Sequence, residues 1–417
     1  MTVNKLVEVK AIKNAFLIDG TGKAPQRGVT ILIEDKRISA VGKNVDVPNK
    51  AEIIDVDGKT VMPGLMDLHI HLGGDSVEPP RRRLYFTVTT PPALKVLHAA
   101  NNARKCIEAG FTTLRNMGLE QDLCWDPSLR EAIELGIIPG PRILASAGCV
   151  RKSGQYPYGN YVGMPEPYQK VWNPADGPYE CRRAVREAVA LGADFIKFFG
   201  TGSVGAAGEK HTWVLYTMEE MKAITDEAHR HERTTACHCH GTQGIKDAVI
   251  AGTDTVEHGT YMDKECVKLM LKNGTYYVPT LTIVENLVHN KESDVPEHML
   301  NKAKETWEHH VPSAKMAYKA GIKIACGTDY RAGINAQELE LFVKVIGMSP
   351  MEAIVAATKT SAEAIKRENE LGTLEQGKLA DMLIVDGDPL QDITVLQDLS
   401  KIKMVIKNGK KAVNRGL

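Results

Sequence analysis

A chain of 417 residues exceeds one small domain, and its 43% hydrophobic and 25% charged side chains are the composition of a globular protein with a sizeable core, which excludes disorder. Lys plus Arg and Asp plus Glu balance at 52 each, so no global field favours nucleic acid or an anionic membrane surface, and a small-molecule partner is expected. Met1–Lys5 open no apolar stretch of signal-peptide length, no run of about 18 apolar residues occurs, and the eight cysteines form no Cys-x-x-Cys or regular framework, all of which points to a cytoplasmic protein with reduced thiols.

From Val9 to Val61 short β-type segments alternate with polar turns: Ala15–Ile18, Val29–Ile33 and Ile38–Val41, with Glu34-Asp35-Lys36 as a hairpin turn between the last two. The same style returns near the other end, at Ala380–Val385 and Met404–Ile406 followed by the turn Lys407–Lys410. Residues 1–62 and 368–417 are therefore expected to join in one β-rich domain.

Between them, residues 63–367 read as strand, then helix, then strand, the pattern of βα units on a parallel sheet. Eight strands are expected, at Leu65–His71, Thr112–Arg115, Ile143–Ser146, Phe195–Phe198, Thr235–His238, Thr255–His258, Tyr276–Pro279 and Ile322–Ala325. Eight such units in about 300 residues fit a closed (β/α)8 barrel of TIM type. Thr217-Met218-Glu219-Glu220 and Ser349-Pro350-Met351-Glu352 have capping-box spacing, the second with proline at the first helical position. Thr282–Ala320 is expected to be helical with a break near Ser293–Pro296.

Chemistry in such a barrel sits at the C-terminal ends of the strands. Strand one ends in His69 and His71; alternation puts both on one face, with Leu68, Ile70 and Leu72 on the other. Strand four carries Lys197 in the apolar frame Phe195-Ile196-Lys197-Phe198-Phe199, strand five ends in His238-Cys239-His240, strand six in Glu257-His258, and strand eight runs into Gly327-Thr328-Asp329. Imidazole, carboxylate and a lysine carbamate are nitrogen and oxygen donors suited to Zn²⁺ or a similar divalent ion. A buried lysine has its charged form destabilised, which provides the free amine that carbamylation needs; taken alone, Lys197 also reads as a snorkelling or paired lysine.

Three features leave more than one reading open. In Cys237-His238-Cys239-His240 the cysteines face the helices and belong to the core, and both histidines share the other face; where the resemblance given below assigns the metal to His238, His240 contacts substrate or is a satisfied structural histidine. The segment Gly73–Pro92, with Arg81-Arg82-Arg83, follows strand one; its arginines clamp an anionic group on the substrate or are a solvated charge run. Gly148–Pro178, rich in Gly, Pro and Tyr, reads as a second long loop at that end. His211, His229 and His231 lie outside the strand ends and are expected at the surface.

The chain resembles the amidohydrolase superfamily, in the branch of metal-dependent Xaa-Pro and Xaa-Arg dipeptidases, ochratoxinase-like amidases and imidazolonepropionase-like proteins. The resemblance rests on Val61–His71, Ala193–Lys197, His238–Gly241, Val256–Gly259, Gly327–Asp329 and Gly377–Asp381, six pieces in order over nearly the whole chain. It implies a barrel with a small β-sandwich domain built from both termini, and a homo-oligomer. It also implies two divalent ions, most simply Zn²⁺: His69 and His71 on one, His238 and His258 on the other, carboxylated Lys197 bridging them, and Asp329 ligating the first and shuttling the proton. The activity it implies is hydrolysis of an amide C–N bond in a small carboxylate-bearing substrate such as a dipeptide or N-acyl amino acid. The same centre could instead open a lactone, cyclic amide, carbamate or phosphotriester, and a barrel that had lost its chemistry could serve as an assembly module, although here all six ligand positions are filled.

Overall fold

The computed structural model of the protein describes residues 7–73, 90–118, 125–155, 173–205, 209–289 and 297–417. Both ends of the chain meet in one eight-stranded sheet. From the N-terminal end come β1 (Val9–Leu17), β2 (Gln26–Glu34), β3 (Arg37–Gly42), β4 (Glu52–Asp55) and β5 (Thr60–Pro63). From the C-terminal end come β15 (Met382–Val385), β16 (Ile402–Lys407) and β17 (Lys410–Asn414). The order is β17-β16-β15-β5-β1-β2-β3, with β4 paired to β1, so β5 and β15 form the seam between the two ends.

Period-two patterning explains why these segments are strands buried on both sides. Val29, Ile31 and Ile33 alternate into one apolar cluster with Val61, Met382, Ile384, Met404 and Ile406. Leu383, Val385, Ile402 and Val405, on the reverse face, join the main core of the molecule. Each such side chain fully removed from water contributes roughly 1.5–3 kcal/mol, so this face fastens the sheet to the rest of the protein.

The remainder is α/β with parallel strands. β6 (Leu65–Ile70), β7 (Phe111–Asn116) and β8 (Arg142–Ala145) form one sheet. β9 (Cys149–Arg151), β10 (Asn173–Pro174), β11 (Phe195–Phe199), β12 (Thr234–Cys239), β13 (Thr255–His258) and β14 (Tyr276–Val278) form another, in the order β10-β9-β11-β12-β13-β14. Alternate residues divide between two clusters. Leu114, Ile143, Ile196, Phe198, Cys237, Cys239 and Val256 meet the helices, whereas Leu144, Phe195, Ala236, Val278 and Ala325 pack together on the inner face. The two capping boxes start the helices Met218–Arg230 and Pro350–Val355 as expected. The helices Leu281–His289 and Glu297–Lys319 flank the expected break, which itself lies outside the described residues.

Two expectations fail. Ile322–Ala325 forms no strand; a single parallel bridge pairs Ile324 with Tyr277. Its ladder is limited to Tyr277 N donating to Lys323 O at 3.0 Å, Ala325 N to Tyr277 O at 2.9 Å and Leu68 N to Cys326 O at 2.8 Å. The chain then turns at Gly327, where a Cβ would stand 2.9 Å from the His69 backbone nitrogen, so only glycine lets the segment approach β6. Within Gly148–Pro178, read as a loop, Cys149–Arg151 pairs with β11 and adds a short strand, while residues 156–172 lie outside the described residues. Among the described residues no helix is long and apolar enough to cross a membrane.

Candidate metal centre

The ends of β6, β11, β12 and β13 and the turn at Asp329 bring the expected side chains together. Alternation is broken on β6: a register shift between Asp67 and Ile70 leaves Leu68 on the inner face, while Ile70 and Leu72 join the helix-facing core. Leu68 was expected beside those two residues. The irregularity adds a residue at the step that carries His69, and such bulges re-aim side chains next to sites. On β13, His258 has a φ of +69°, which breaks the alternation that would send Glu257 and His258 to opposite faces. Asp329, at +51°, and Thr280, at +55°, share this left-handed conformation. Strain of about 1–3 kcal/mol per such residue persists only where neighbours enforce it.

The partners of each ring fix which nitrogen is left for the site. His71 Nδ1 donates to the Gly118 carbonyl at 2.7 Å, leaving Nε2 as an acceptor 3.2 Å from Asp329 Oδ1. His69 Nδ1 donates to Glu257 Oε2 at 2.7 Å, and its Nε2 lies 3.8 Å from the same Asp329 oxygen. His258 Nδ1 meets Thr280 Oγ1 at 2.7 Å; that hydroxyl already donates to Pro279 O, so His258 Nε2 keeps a lone pair, and it is buried with no hydrogen-bond partner. His238 Nε2 donates to Gly202 O at 3.2 Å, and His240 Nδ1 pairs with Thr260 Oγ1 at 2.7 Å.

Acceptors facing acceptors in a buried space call for a cation between them. Ligand atoms of His238, His240 and His258 lie within 4.8 Å of one another, as do those of His69, His258 and Asp329. His258 belongs to both groups, with ring centroids 4.9 Å from His69 and 4.4 Å from His238. Lys197, on β11, is buried with an Nζ that has no hydrogen-bond partner. An orphaned amine beside convergent nitrogen and oxygen donors fits a divalent-metal site with a modified lysine better than a plain ammonium, which those ions would repel.

Electrostatics run the same way. Burial, reinforced by the Lys197 charge, pushes His69 and His238 well below the ordinary imidazole range, and burial with the neighbouring histidines does the same to His240 and His258. All four are neutral rings, the form that binds metal. Burial also lowers the Lys197 amine against the opposing pull of Glu257. Burial alone would raise the Asp329 carboxyl; positive charge on its neighbours, His69 and His71 first and Lys197 after them, would hold it below its usual value.

Other expectations divide. Cys237 and Cys239 lie in the main core, their sulfurs 3.2 Å apart. His229 and His231 are at the surface, their side chains 38% and 40% exposed. His211 is not: only 5% exposed, it hydrogen-bonds Tyr261 Oη through Nε2 at 2.9 Å and meets the His240 ring edge-on at 5.9 Å. It lies outside the strand frames, so its sequence position carried no sign of this. Arg81, Arg82 and Arg83 fall outside the described residues.

Several residues with evident work were given no role by the sequence. Asp67 accepts from His69 N, Thr328 N, Thr328 Oγ1 and Asn335 Nδ2, so it ties β6 to the turn bearing Asp329. Arg115 and Glu257 form a fully buried ion pair at 2.7 Å. The available signal was charge at interior positions of apolar strands, which a chain of this kind tolerates only where partners wait.

The Amidohydrolase family profile matches residues 60–412. Ochratoxinase of Aspergillus niger is 31% identical over 427 residues, spanning 97% of this chain and 86% of that protein. Among solved structures, a Xaa-Pro dipeptidase with bound methionine superposes with a TM-score of 0.83 at 33% identity, covering 97% of this chain and 99% of that one. A prolidase complexed with N-methylphosphonate-L-proline gives 0.88 at 28%, covering 98% and 100%. Motif order, parallel α/β architecture and the convergent donors agree with these likenesses: the chain belongs to the amidohydrolase family and is a hydrolase acting on C–N bonds.

Proposed function

We propose that the protein is a binuclear metal-dependent hydrolase cleaving the amide bond of a small carboxylate-bearing substrate, such as a dipeptide or N-acyl amino acid. The observation that carries this reading is the convergence of His69, His258 and Asp329 ligand atoms within 4.8 Å of one another, with His71 Nε2 3.2 Å from Asp329 Oδ1. In it, His69, His71 and Asp329 would hold one divalent ion, His238 and His258 the other, with carboxylated Lys197 as a ligand shared by both; Zn²⁺ suits this donor set. Bound there, the ions would supply Lewis-acid polarisation of the amide carbonyl and activation of water.

The chain's own residues do the rest. Asp329 accepts the proton of the attacking water on its carboxylate and returns it to the leaving amine. His240, its Nδ1 held by Thr260, turns its other nitrogen to the substrate oxygen and orients the bond. Selection of a carboxylate falls to groups beyond the ligands, and Arg81, Arg82 and Arg83 are the proposed clamp. The Xaa-Pro dipeptidase with bound methionine and the prolidase complexed with N-methylphosphonate-L-proline support a substrate of this class.

The site rests on residues 63–367 as a closed (β/α)8 barrel, with residues 1–62 and 368–417 as a β-sandwich domain. The backbone bond from Asp194 N to Ala145 O, at 2.8 Å, links the start of β11 to β8 across one gap between the two parallel sheets, and segment 322–326, bonded to Tyr277 on one side and through Cys326 O to Leu68 N on the other, spans the second gap; both support closure. In the assembly the protein is a cytoplasmic homo-oligomer.

The test is a screen of dipeptides and N-acyl amino acids, each paired with its C-terminal amide. The free acids should be preferred by about 10²-fold or more in kcat/KM, the cost of leaving a buried charged partner unpaired. Equal rates on acid and amide, or a preference for lactones or phosphotriesters, would remove the peptidase reading.

A further inference from the structure

We infer that Glu257 is a positioning residue for the metal side held by His69, His71 and Asp329, and that Arg115 holds Glu257 in place for this purpose. The inference rests on the two-ion reading above. Five histidines point into the centre, and each has one ring nitrogen engaged by a neighbour. For four the neighbour is neutral: the Gly118 carbonyl for His71, the Gly202 carbonyl for His238, and the Thr260 and Thr280 hydroxyls for His240 and His258. On the Nδ1 side turned away from the centre, His69 meets a carboxylate instead, Glu257 Oε2 at 2.7 Å.

That difference has chemical content. A carboxylate behind an imidazole fixes the tautomer, so that Nδ1 bears the proton and Nε2 the lone pair, and it makes the ring a stronger donor. Arg115 sets the geometry from the other side. Its Nη2 donates to Glu257 Oε1 at 2.7 Å, Nη1 to Thr255 Oγ1 at 3.2 Å, and Nε to the carbonyl of Leu68, the residue before His69, at 2.7 Å. Thr255 Oγ1 also bonds Glu257 Oε1. One guanidinium thus fixes both the carboxylate and the backbone that presents His69. Arg115 and Glu257 have no exposed side-chain surface, so this pair is kept away from solvent exchange. Asp329 supplies a second carboxylate on the same side, 3.8 Å from His69 Nε2. The His238–His258 side has hydroxyl and carbonyl partners only. The two ions are therefore held unequally, the first on the His69 side, and Glu257 is a cause of the inequality.

Chelator competition on the Zn²⁺-loaded protein resolves the two dissociation constants and tests this without reference to turnover. In Glu257→Gln one constant should rise about 10–100-fold, the range for loss of an outer partner of a ligand, and the other should stay where it was. The visible spectrum of the Co²⁺-substituted protein should change in parallel, for the tighter ion only. Should Glu257→Gln fail to fold because Arg115 is left unpaired, the double variant Glu257→Gln/Arg115→Met removes that charge and must give the same split. Two constants that both hold, or that shift together, would overturn the inference while leaving the two-ion reading intact. Wild-type protein that takes up no metal would overturn both.

Discussion

Lys197 is the residue whose ordinary chemistry fits its surroundings least: an amine buried in Phe195–Phe199, without a hydrogen-bond partner and lowered by burial. Carboxylation would turn it into an oxygen donor and remove the conflict. Lys197→Ala should cost about 10³-fold or more in kcat, some 4 kcal/mol of barrier, and acetate in the buffer should return part of the rate. Electron density showing an unmodified lysine turned away from the histidines would contradict this. His69→Ala and His258→Ala should abolish turnover in protein that still folds; insoluble protein would instead mark them as structural. At this scale the donors were legible, because His-x-His spacing and strand-end positions depend on local sequence alone. Glu257 and Arg115 were not, because their meaning lies in a partner more than a hundred residues away. His211 was misread for the same reason: Tyr261 and His240 reach it only in the folded chain.

Among the elements, the helices and most strands followed from periodicity and caps, and the exceptions have physical causes. Segment 322–325 is held by isolated ladder bonds on either side and turns at Gly327, so a β-type pattern did not become a strand. The shift on β6 and the left-handed His258 cannot be seen in an alternation pattern, since they are departures from it. A partly exposed cross-link between helices gives an element-scale prediction. Glu227, on Met218–Arg230, accepts from Arg186 Nε at 2.7 Å and Arg182 Nη1 at 3.2 Å, both on Gly177–Ala190. The Arg186 hydrogen bond first, then Arg182, against the opposing effect of burial, lowers its carboxyl from 4.5 to about 2. A lowered folded value stabilises the protein above pH 4.5 and loses that contribution as pH falls towards 2. Glu227→Gln should therefore lower Tm at pH 7, with the gap to wild type closing between pH 4.5 and 2. A gap that stays constant across that range in thermal scans would show the ion pair to be idle.

For the whole molecule, the joint between the terminal sheet and the α/β body was legible as two β-rich ends, but the groups that lock it were not. Arg142, opening β8, reaches Asp381 Oδ2 at 2.6 Å and Asn408 Oδ1 at 2.6 Å, spanning from the parallel sheet to the turn after β16. Both partners of this ion pair are nearly buried. Arg142→Ala should lower stability by about 3–5 kcal/mol, because it leaves a buried carboxylate without its counter-charge. The folded fraction should keep its kcat, as the joint lies away from the histidines; a loss of kcat at unchanged stability would contradict that separation. The most direct test of the account is elemental analysis of the protein purified without chelator. It should find about two divalent ions per chain, with both lost from a variant lacking His69 and His258; a wild-type protein free of metal would contradict the account.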